Sequence, residues 1–290
     1  MESRLATLVL SGGGTKGAFQ VGAEQVLREE LGFRWERIFG VSAGALNGTL
    51  LAQERHDHLF AVWQGIREED VHRKYGWAAI AWRLAVLKKR GIYDNSRLRE
   101  TIEKNAAGHP FRIPFFVGRV SLVSGRYELV SYQMPDILDA VWHSATMPVI
   151  WEPIGPMAYV DGGLRNVTPL ADALGFGPTA LVVIVCNPEG IEADRPPRNI
   201  VDAAERSLAD ITIHEIMIND VREFVRINSL VQQAAAAGLE LKDEHGRPYR
   251  YVPITVIRPA EPLGDTLDFS ADVIRARIQA GREAARAAFA

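Results

Sequence analysis

The stretch Gly40-Val41-Ser42-Ala43-Gly44 decides how the rest of the chain is interpreted. It follows a strand-like apolar run, residues 35–39, and precedes residues 45–52, which have the composition of a helix. A Gly-x-Ser-x-Gly sequence at a strand-to-helix switch is typical of the nucleophile elbow, a tight turn that lifts the serine hydroxyl clear of the backbone. The chain has 25 glycines in 290 residues, so this short pattern is weak by itself and its surroundings must support it.

A second glycine-rich loop, residues 11–17 with the sequence Ser-Gly-Gly-Gly-Thr-Lys-Gly, follows a β-rich run at residues 5–10. A helical pattern over residues 18–31 comes next. The loop therefore lies between a strand and a helix, where free backbone N–H groups converge at a helix N-terminus and can bind an anion.

Three functions compete for this loop. Gly12-x-Gly14-x-x-Gly17 matches the dinucleotide fingerprint, but the ribose-binding acid expected at the end of the second strand is missing, because Glu36 lies at the wrong end of that strand. A phosphate-binding P-loop fails because Lys16 precedes the last glycine instead of following it. We favour an oxyanion hole, formed by backbone donors directed at the tetrahedral oxygen that a serine nucleophile would create.

The composition is that of an ordinary globular protein, with 47% hydrophobic residues, 24% charged residues and a net charge of −3. This balance gives no reason to expect a nucleic-acid partner. No stretch approaches the about 18 uncharged apolar residues of a membrane span. The single cysteine, Cys186, ends an apolar run at residues 181–186, so we expect a buried core thiol and a soluble, cytoplasmic protein.

Strands and helices alternate along the chain, which predicts an α/β fold with a mainly parallel sheet. We find no internal repeat and no long linker, and we expect one domain over residues 1–290. Beyond the two loops, the predicted elements are a hairpin at 115–131, a helix at 134–145, a strand at 157–160, a helical tract at 200–237 broken near 211–213, a strand at 251–257 and a final helix capped by Ser270.

Residues 56–104 differ in character and form a predicted helical, cap-like insertion. Residues 67–104 carry ten Lys and Arg against six Asp and Glu, a local balance of +4. Four apolar residues recur there at helical spacing: Trp77, Ile80, Leu84 and Leu87. This helix could contact an anionic lipid surface or pack over the sheet with its basic residues solvated, and we favour packing. His56-Asp57-His58 matches no metal-site spacing.

A serine nucleophile needs a base, which is usually histidine. Of the seven histidines, His245 lies in a polar turn and His214 within the helical tract, and neither follows a strand. Asp161 does follow a predicted strand and is itself followed by two glycines, the setting in which α/β sheets hold ligands. Asp161 acting directly on Ser42 is therefore our candidate. An aspartate with a pKa of ~4 is a poor base at neutral pH, so burial and strong oxyanion donors would be required.

Three blocks together resemble the patatin-like phospholipases: residues 12–17, residues 40–44, and Asp161-Gly162-Gly163. The resemblance spans residues 5–170 and implies a three-layer α/β/α fold and a Ser-Asp dyad that hydrolyses acyl esters of lipids, without metal or cofactor. It implies the following roles: Ser42 as nucleophile, Asp161 as base, the amides of Gly12, Gly13, Gly14 and Thr15 as oxyanion hole, and Lys16, Gly17, Gly40, Gly44, Gly162 and Gly163 as supporting motif residues.

Two positions depart from the family pattern. Lys16 stands where the family often has arginine, and lysine lacks the bidentate guanidinium fork, which weakens any role in orienting a substrate. His143 stands where a small residue usually precedes Ser144, in residues 143–148 that resemble a further Ser- and Pro-containing block of the family.

We therefore predict a lipid acyl hydrolase that acts through an acyl-enzyme intermediate. Two alternatives stay open: a catalytically weak lipid-binding or regulatory protein of the same fold, and an acyltransferase that uses the same dyad. The expected partners are a lipid or acyl-ester substrate and, peripherally, an anionic membrane.

Overall fold

The structure, a computed structural model, describes residues 4–73, 75–190 and 196–290. The strands are β1 (Arg4–Leu10), β2 (Phe33–Gly40), β3 (Gly91–Tyr93), β4 (Phe115–Ser121), β5 (Tyr127–Ser131), β6 (Val149–Trp151), β7 (Tyr159–Asp161), β8 (Leu181–Ile184) and β9 (Ile254–Ile257). The helices are α1 (Ala18–Glu29), α2 (Ala43–Ala52), α3 (His56–Gly65), α4 (Trp77–Ala85), α5 (Ser96–Ala106), α6 (Ile137–Ser144), α7 (Leu170–Gly175), α8 (Ile200–Glu205), α9 (His214–Ala236) and α10 (Ala271–Ala287).

Seven strands form a mixed, mainly parallel sheet in the order β5-β4-β2-β1-β8-β9, with β7 paired to β4 outside that path. The strands β1, β2, β4, β8 and β9 run parallel, whereas β5 and β7 are antiparallel to β4. Strands β3 and β6 form a separate parallel pair. The predicted mainly parallel α/β fold is confirmed.

Helices cover both faces of this sheet. On one face, α1, α2, α3, α5, α6 and α10 pack against side chains such as Leu8 and Ile38. On the other face, α7 and α9 pack against Val9 and Phe39, the alternate residues of the same strands. Burial on both faces explains why β1 and β8 are almost continuously apolar, as is typical of parallel sheets. The result is the three-layer α/β/α arrangement that the resemblance implied.

The position of β7 brings two distant parts of the chain together. β5 occupies one edge of β4, so β7 pairs with the other edge, in line with β2. Val117 of β4 pairs with Gly40, the last residue of β2, and Arg119 pairs with Asp161, the last residue of β7. Because β7 is antiparallel, the carboxyl ends of β2 and β7 point toward each other.

Most predicted elements are present within a few residues of their expected bounds. The tract at residues 200–237 consists of α8, a π-helical segment at Arg206–Ile213 and α9, so the expected break near 211–213 is a change of helix type. Ser270 occupies the N-cap position of α10, but its side chain makes no capping hydrogen bond. None of the helices in the described ranges has the length and apolarity needed to cross a membrane.

The favoured expectation for the helix at residues 77–87 is wrong. Of its four apolar repeat positions only Ile80 is buried, whereas Trp77, Leu84 and Leu87 are exposed. Its contacts are with β3 of the small parallel pair. Helical spacing correctly located α4, but it did not show which face of the helix the rest of the protein covers.

Candidate active site

Ser42 lies in the tight turn between β2 and α2. Its φ of 55° and ψ of −124° place it in a region that residues other than glycine rarely adopt. The flanking glycines allow the turn, because a methyl group at Gly40 would overlap the carbonyl of Gly44, and one at Gly44 would overlap the carbonyl of Leu10. The Ser42 amide donates to Ser144 Oγ at 2.9 Å. The strained backbone of Ser42 is therefore fixed by close packing at the flanking glycines and by the hydrogen bond to Ser144. Strained conformations persist at functional sites when the surrounding structure fixes them in this way.

Asp161 meets Ser42 where β7 ends. The carboxyl group is buried, with 2% of the residue exposed, and it lies close enough to the Ser42 hydroxyl for that hydroxyl to lower its pKa. The Gly163 amide donates to Asp161 Oδ1 at 2.8 Å, and Gly162 lies between these two residues. Burial raises the pKa of Asp161 to about 6, against the smaller lowering effects of the Ser42 hydroxyl and the Gly163 N–H. A carboxylate with a pKa nearer neutrality is a better general base than an exposed one.

The glycine loop runs beside Ser42, since a methyl group at Gly12 would lie 3.2 Å from Ser42 Cβ. The Gly12 amide already donates to the Val167 carbonyl at 3.1 Å, and the Thr15 amide donates to the Thr266 carbonyl at 2.9 Å. Within the described part of the chain, the amides of Gly13 and Gly14 have no acceptor. Only two of the four predicted oxyanion donors are therefore free to bind a ligand.

A third free amide belongs to Ala43, the first residue of α2, which likewise has no acceptor among the described residues. In elbow-type hydrolases the residue after the nucleophile supplies an oxyanion donor, so the Gly-x-Ser-x-Gly motif itself could have indicated Ala43 as a donor. The position also lies at a helix N-terminus, where the helix dipole favours negative charge.

Lys16 and Gly17 connect the loop to its surroundings. Lys16 Nζ lies 3.1 Å from Asp210 Oδ1 and 3.1 Å from Asn187 Oδ1, so its charge is already paired. Asp210 belongs to the π-helical segment, a helix type often found at functional sites. The Gly17 carbonyl accepts from Asn47 Nδ2 at 2.9 Å.

Thr15 is held by a part of the chain far away in sequence. Its hydroxyl donates to the Thr266 carbonyl at 2.9 Å and accepts from Arg277 Nη1 at 2.6 Å. Arg277, 2% exposed, also donates to the carbonyls of Leu263, Asp265 and Asp268. The arginine therefore ties the glycine loop to residues 263–268. No local sequence pattern predicts this link, because the two residues lie 262 positions apart in the chain.

An apolar cavity of about 110 Å³ opens from the Ser42–Asp161 pair. This volume is several times the about 10–15 Å³ that holds one water. Its walls come from α2, α3, α5 and α6 and include Leu46, Trp63, Ile102, Val141 and Met147. Such a cavity suits an extended hydrocarbon chain better than a polar molecule.

No histidine in the described residues bonds to Ser42. His143 contacts Arg119, whose Nη1 lies 3.2 Å from Nδ1, and stacks on Tyr159. Burial, together with the smaller effect of the Arg119 charge, lowers the pKa of His143 to about 4. His214 Nε2 lies 2.9 Å from the Pro188 carbonyl. The same ranges contain no cluster of metal-binding side chains.

Cys186 is buried behind the glycine loop, where its side chain would collide with any Cβ at Gly13. Burial raises the pKa of its thiol to about 12, so the sulfur stays protonated and unreactive. The expectation of a core thiol is confirmed.

Comparison with known proteins identifies a family and individual relatives. A family model described as patatin-like phospholipase matches residues 8–174. A protein of Bacillus subtilis strain 168, called uncharacterized protein YqhO, is 27% identical over 230 residues, which are 68% of this chain and 76% of that protein. The crystal structure of VipD from Legionella pneumophila aligns with a TM-score of 0.45 and 14% identity, over 99% of this chain and 67% of that one.

Proposed function

The chain belongs to the patatin-like phospholipase family, and from this premise we propose that it is a serine hydrolase that cleaves the carboxylic ester bonds of lipids through a Ser42–Asp161 dyad. The observation that carries the proposal is the placement of a buried Asp161 carboxyl beside a strained, elbow-positioned Ser42 at the mouth of an apolar cavity.

In the proposed reaction, Ser42 Oγ attacks the ester carbonyl carbon while the Asp161 carboxylate takes the hydroxyl proton. The carbonyl oxygen becomes an oxyanion, which the free amides of Gly13, Gly14 and Ala43 stabilise. The tetrahedral intermediate collapses, the C–O bond to the alcohol breaks, and Asp161 returns the proton to the leaving oxygen. A water then attacks the acyl-enzyme, with Asp161 again as base, and releases the fatty acid and free Ser42.

Each member of the site has a physical task in this scheme. The raised pKa of Asp161 brings the base nearer the working pH, which compensates in part for the absence of a histidine. An oxyanion donor typically contributes about 2.7–4 kcal/mol to lowering the barrier. Lys16 is occupied by Asp210 and Asn187, so we propose that it positions the loop and does not contact the substrate.

A chain-length series of soluble p-nitrophenyl esters tests the proposal. Each methylene buried in the cavity contributes ~0.8 kcal/mol, so kcat/KM should rise about fourfold per CH2 from acetate until the cavity is filled. A burst of p-nitrophenol stoichiometric with the enzyme is expected if deacylation is the slower step. Activity that is equal in wild type and Ser42→Ala would refute the proposed nucleophile.

Asp172 provides a matched control for Asp161. Asp172 is half-buried and, like Asp161, has a raised pKa. Its carboxylate accepts hydrogen bonds from Tyr127 and Asn166 and does not face Ser42. We expect Asp161→Asn to lose ester hydrolysis and Asp172→Asn to keep it. Equal losses in both variants would point to a general effect on the fold and not to a dyad.

A further inference from the structure

Helix α4 exposes its apolar side and buries the opposite one. Trp77 is 61% exposed and Trp82 is 53% exposed, whereas Ile80 and Arg83 are buried. At 100° per residue, most exposed residues of the helix point away from Ile80 and Arg83, and Trp77 lies at the border between the two sides. The exposed side continues past the end of the helix, and we call its members the α4 surface: Trp77, Ala78, Ala81, Trp82, Ala85, Val86 and Leu87.

This orientation is the reverse of that of an ordinary surface helix, which turns its apolar stripe inward. The buried side is fixed in place, because the Arg83 guanidinium lies over the Tyr75 ring at 4.3 Å. Trp77 and Trp82 lie about 140° apart around the helix and, with the exposed alanines between them, form a broad apolar patch of the kind that marks an interaction site. Tryptophan is also the residue most typical of the membrane–water interface.

The charges of the chain segment that carries the α4 surface are all of one sign. Residues 76–90 contain four basic residues and no acidic one. Lys88 and Arg90 are exposed and make no ion pair among the described residues, while Lys89 pairs with Glu152 at 3.0 Å. A second copy of this chain would bring the same positive charges against these, so self-association is disfavoured. An apolar patch with a positive rim complements a bilayer with anionic headgroups.

The α4 surface is also connected to the cavity. Gly91, which follows Arg90, pairs with Val149 in the small parallel sheet, and Val149 is 48% exposed. Met147 and Trp151, on either side of Val149 in the chain, both line the cavity that reaches Ser42. The small parallel pair of β3 and β6 therefore lies between the α4 surface and the cavity wall.

We propose that the α4 surface, with Val149, docks this protein on anionic lipid bilayers and so places the cavity entrance against the membrane. This docking function rests on the proposed lipid substrate, but it is a binding property of a surface that contains none of the reacting groups. The protein would then take single lipid molecules from the bilayer without a membrane-spanning segment.

Vesicle sedimentation tests the proposal, with all variants in a Ser42→Ala background so that no lipid is consumed. The vesicles are phosphatidylcholine alone or phosphatidylcholine mixed with phosphatidylglycerol. We expect binding to the anionic vesicles that weakens with salt. Trp82→Ala should lower the partition coefficient at least about tenfold, since a half-exposed indole loses its apolar contact. Leu230→Ala, an equally exposed apolar residue on α9 across the sheet, should have no effect.

The contribution of positive charge to vesicle binding is tested by two matched double variants. Lys88→Gln/Arg90→Gln should weaken binding to anionic vesicles about 25-fold at low salt, because each cation near the surface contributes about fivefold. Arg4→Gln/Arg34→Gln removes two exposed cations at the amino-terminal ends of the central strands β1 and β2 and should leave binding unchanged. Equal losses in the two double variants would overturn the charge argument.

Two other outcomes would overturn the proposal. One is unchanged vesicle binding in Trp82→Ala. The other is a wild type that fails to bind vesicles and elutes as a dimer in size-exclusion chromatography, with Trp82→Ala eluting as a monomer. The α4 surface would then bind a second copy of this chain. Soluble-ester hydrolysis, measured with Ser42 intact, separates this proposal from the proposed function. An inactive protein that still binds vesicles through Trp82 would refute the proposed hydrolase and support the docking surface.

Discussion

Replacing Asp161 by Asn should stabilise the folded protein while it abolishes activity. Burial raises the pKa of Asp161 from 3.8 to about 6, so keeping the carboxylate ionised in the folded state has a cost. A shift of about two pKa units corresponds to roughly 3 kcal/mol of unfolding free energy. The Asn side chain has the same shape, carries no charge, and its Oδ1 can still accept from the Gly163 amide.

The sign of the pH dependence follows from the direction of the shift. Above the folded pKa of about 6 the wild type bears the full cost, and as the pH falls the folded state binds a proton and the cost disappears. The stability gain of Asp161→Asn should therefore be largest above about pH 7 and close to zero near about pH 4.

Urea unfolding of wild type and variant, followed by tryptophan fluorescence at several pH values, measures this difference. Asp243→Asn is a control of opposite sign, since backbone N–H groups of Arg247 and His245 and the Arg247 side chain lower the pKa of the exposed Asp243. That variant should lose stability at high pH. An Asp161→Asn protein no more stable than wild type at high pH, or a gain that persists unchanged in acid, would refute the assignment of a buried, ionised base.

Three further predictions concern catalysis and the loops around Ser42. The kcat/KM for a soluble ester should fall about tenfold per pH unit below about pH 6 as Asp161 protonates, and a flat acid limb would contradict this. Thr15→Val removes the hydroxyl bound by Arg277, so kcat should fall at least about tenfold, whereas Thr7→Val, which removes a hydroxyl bond to Glu36 outside the cavity, should not change it in steady-state assays. Ser144→Ala leaves a buried amide unpaired and should lower the unfolding free energy by about 1–3 kcal/mol in urea titrations, and unchanged stability would show that the elbow does not need this bond.

Much of the fold was predictable because its signals are local. The strands β1 and β8 are almost continuously apolar, since both faces of a parallel strand are buried, and the two glycine-containing loops mark where strands turn into helices. Asp161 could be singled out because an acidic residue after a strand and before two glycines is rarely a packing feature. The division into one domain with a cap-like insertion at residues 56–104 stays a prediction.

Other features depend on contacts that no local pattern records. The antiparallel pairing of β7 with β4, which turns Asp161 toward Ser42, is a property of the sheet topology. The hydrogen bond from the Gly12 amide to the Val167 carbonyl depends on a segment that comes much later in the chain. Helical spacing predicts an apolar stripe on α4 equally well for a buried and an exposed helix, so the favoured packing of that helix was wrong.

Covalent labelling with a fluorophosphonate, followed by mass spectrometry of the proteolytic peptides, tests the central claim most directly. The account predicts one adduct, on Ser42, that is absent from Ser42→Ala and forms more slowly in Asp161→Asn because the hydroxyl has lost its base. An adduct on another residue, or labelling that persists in Ser42→Ala, would contradict it.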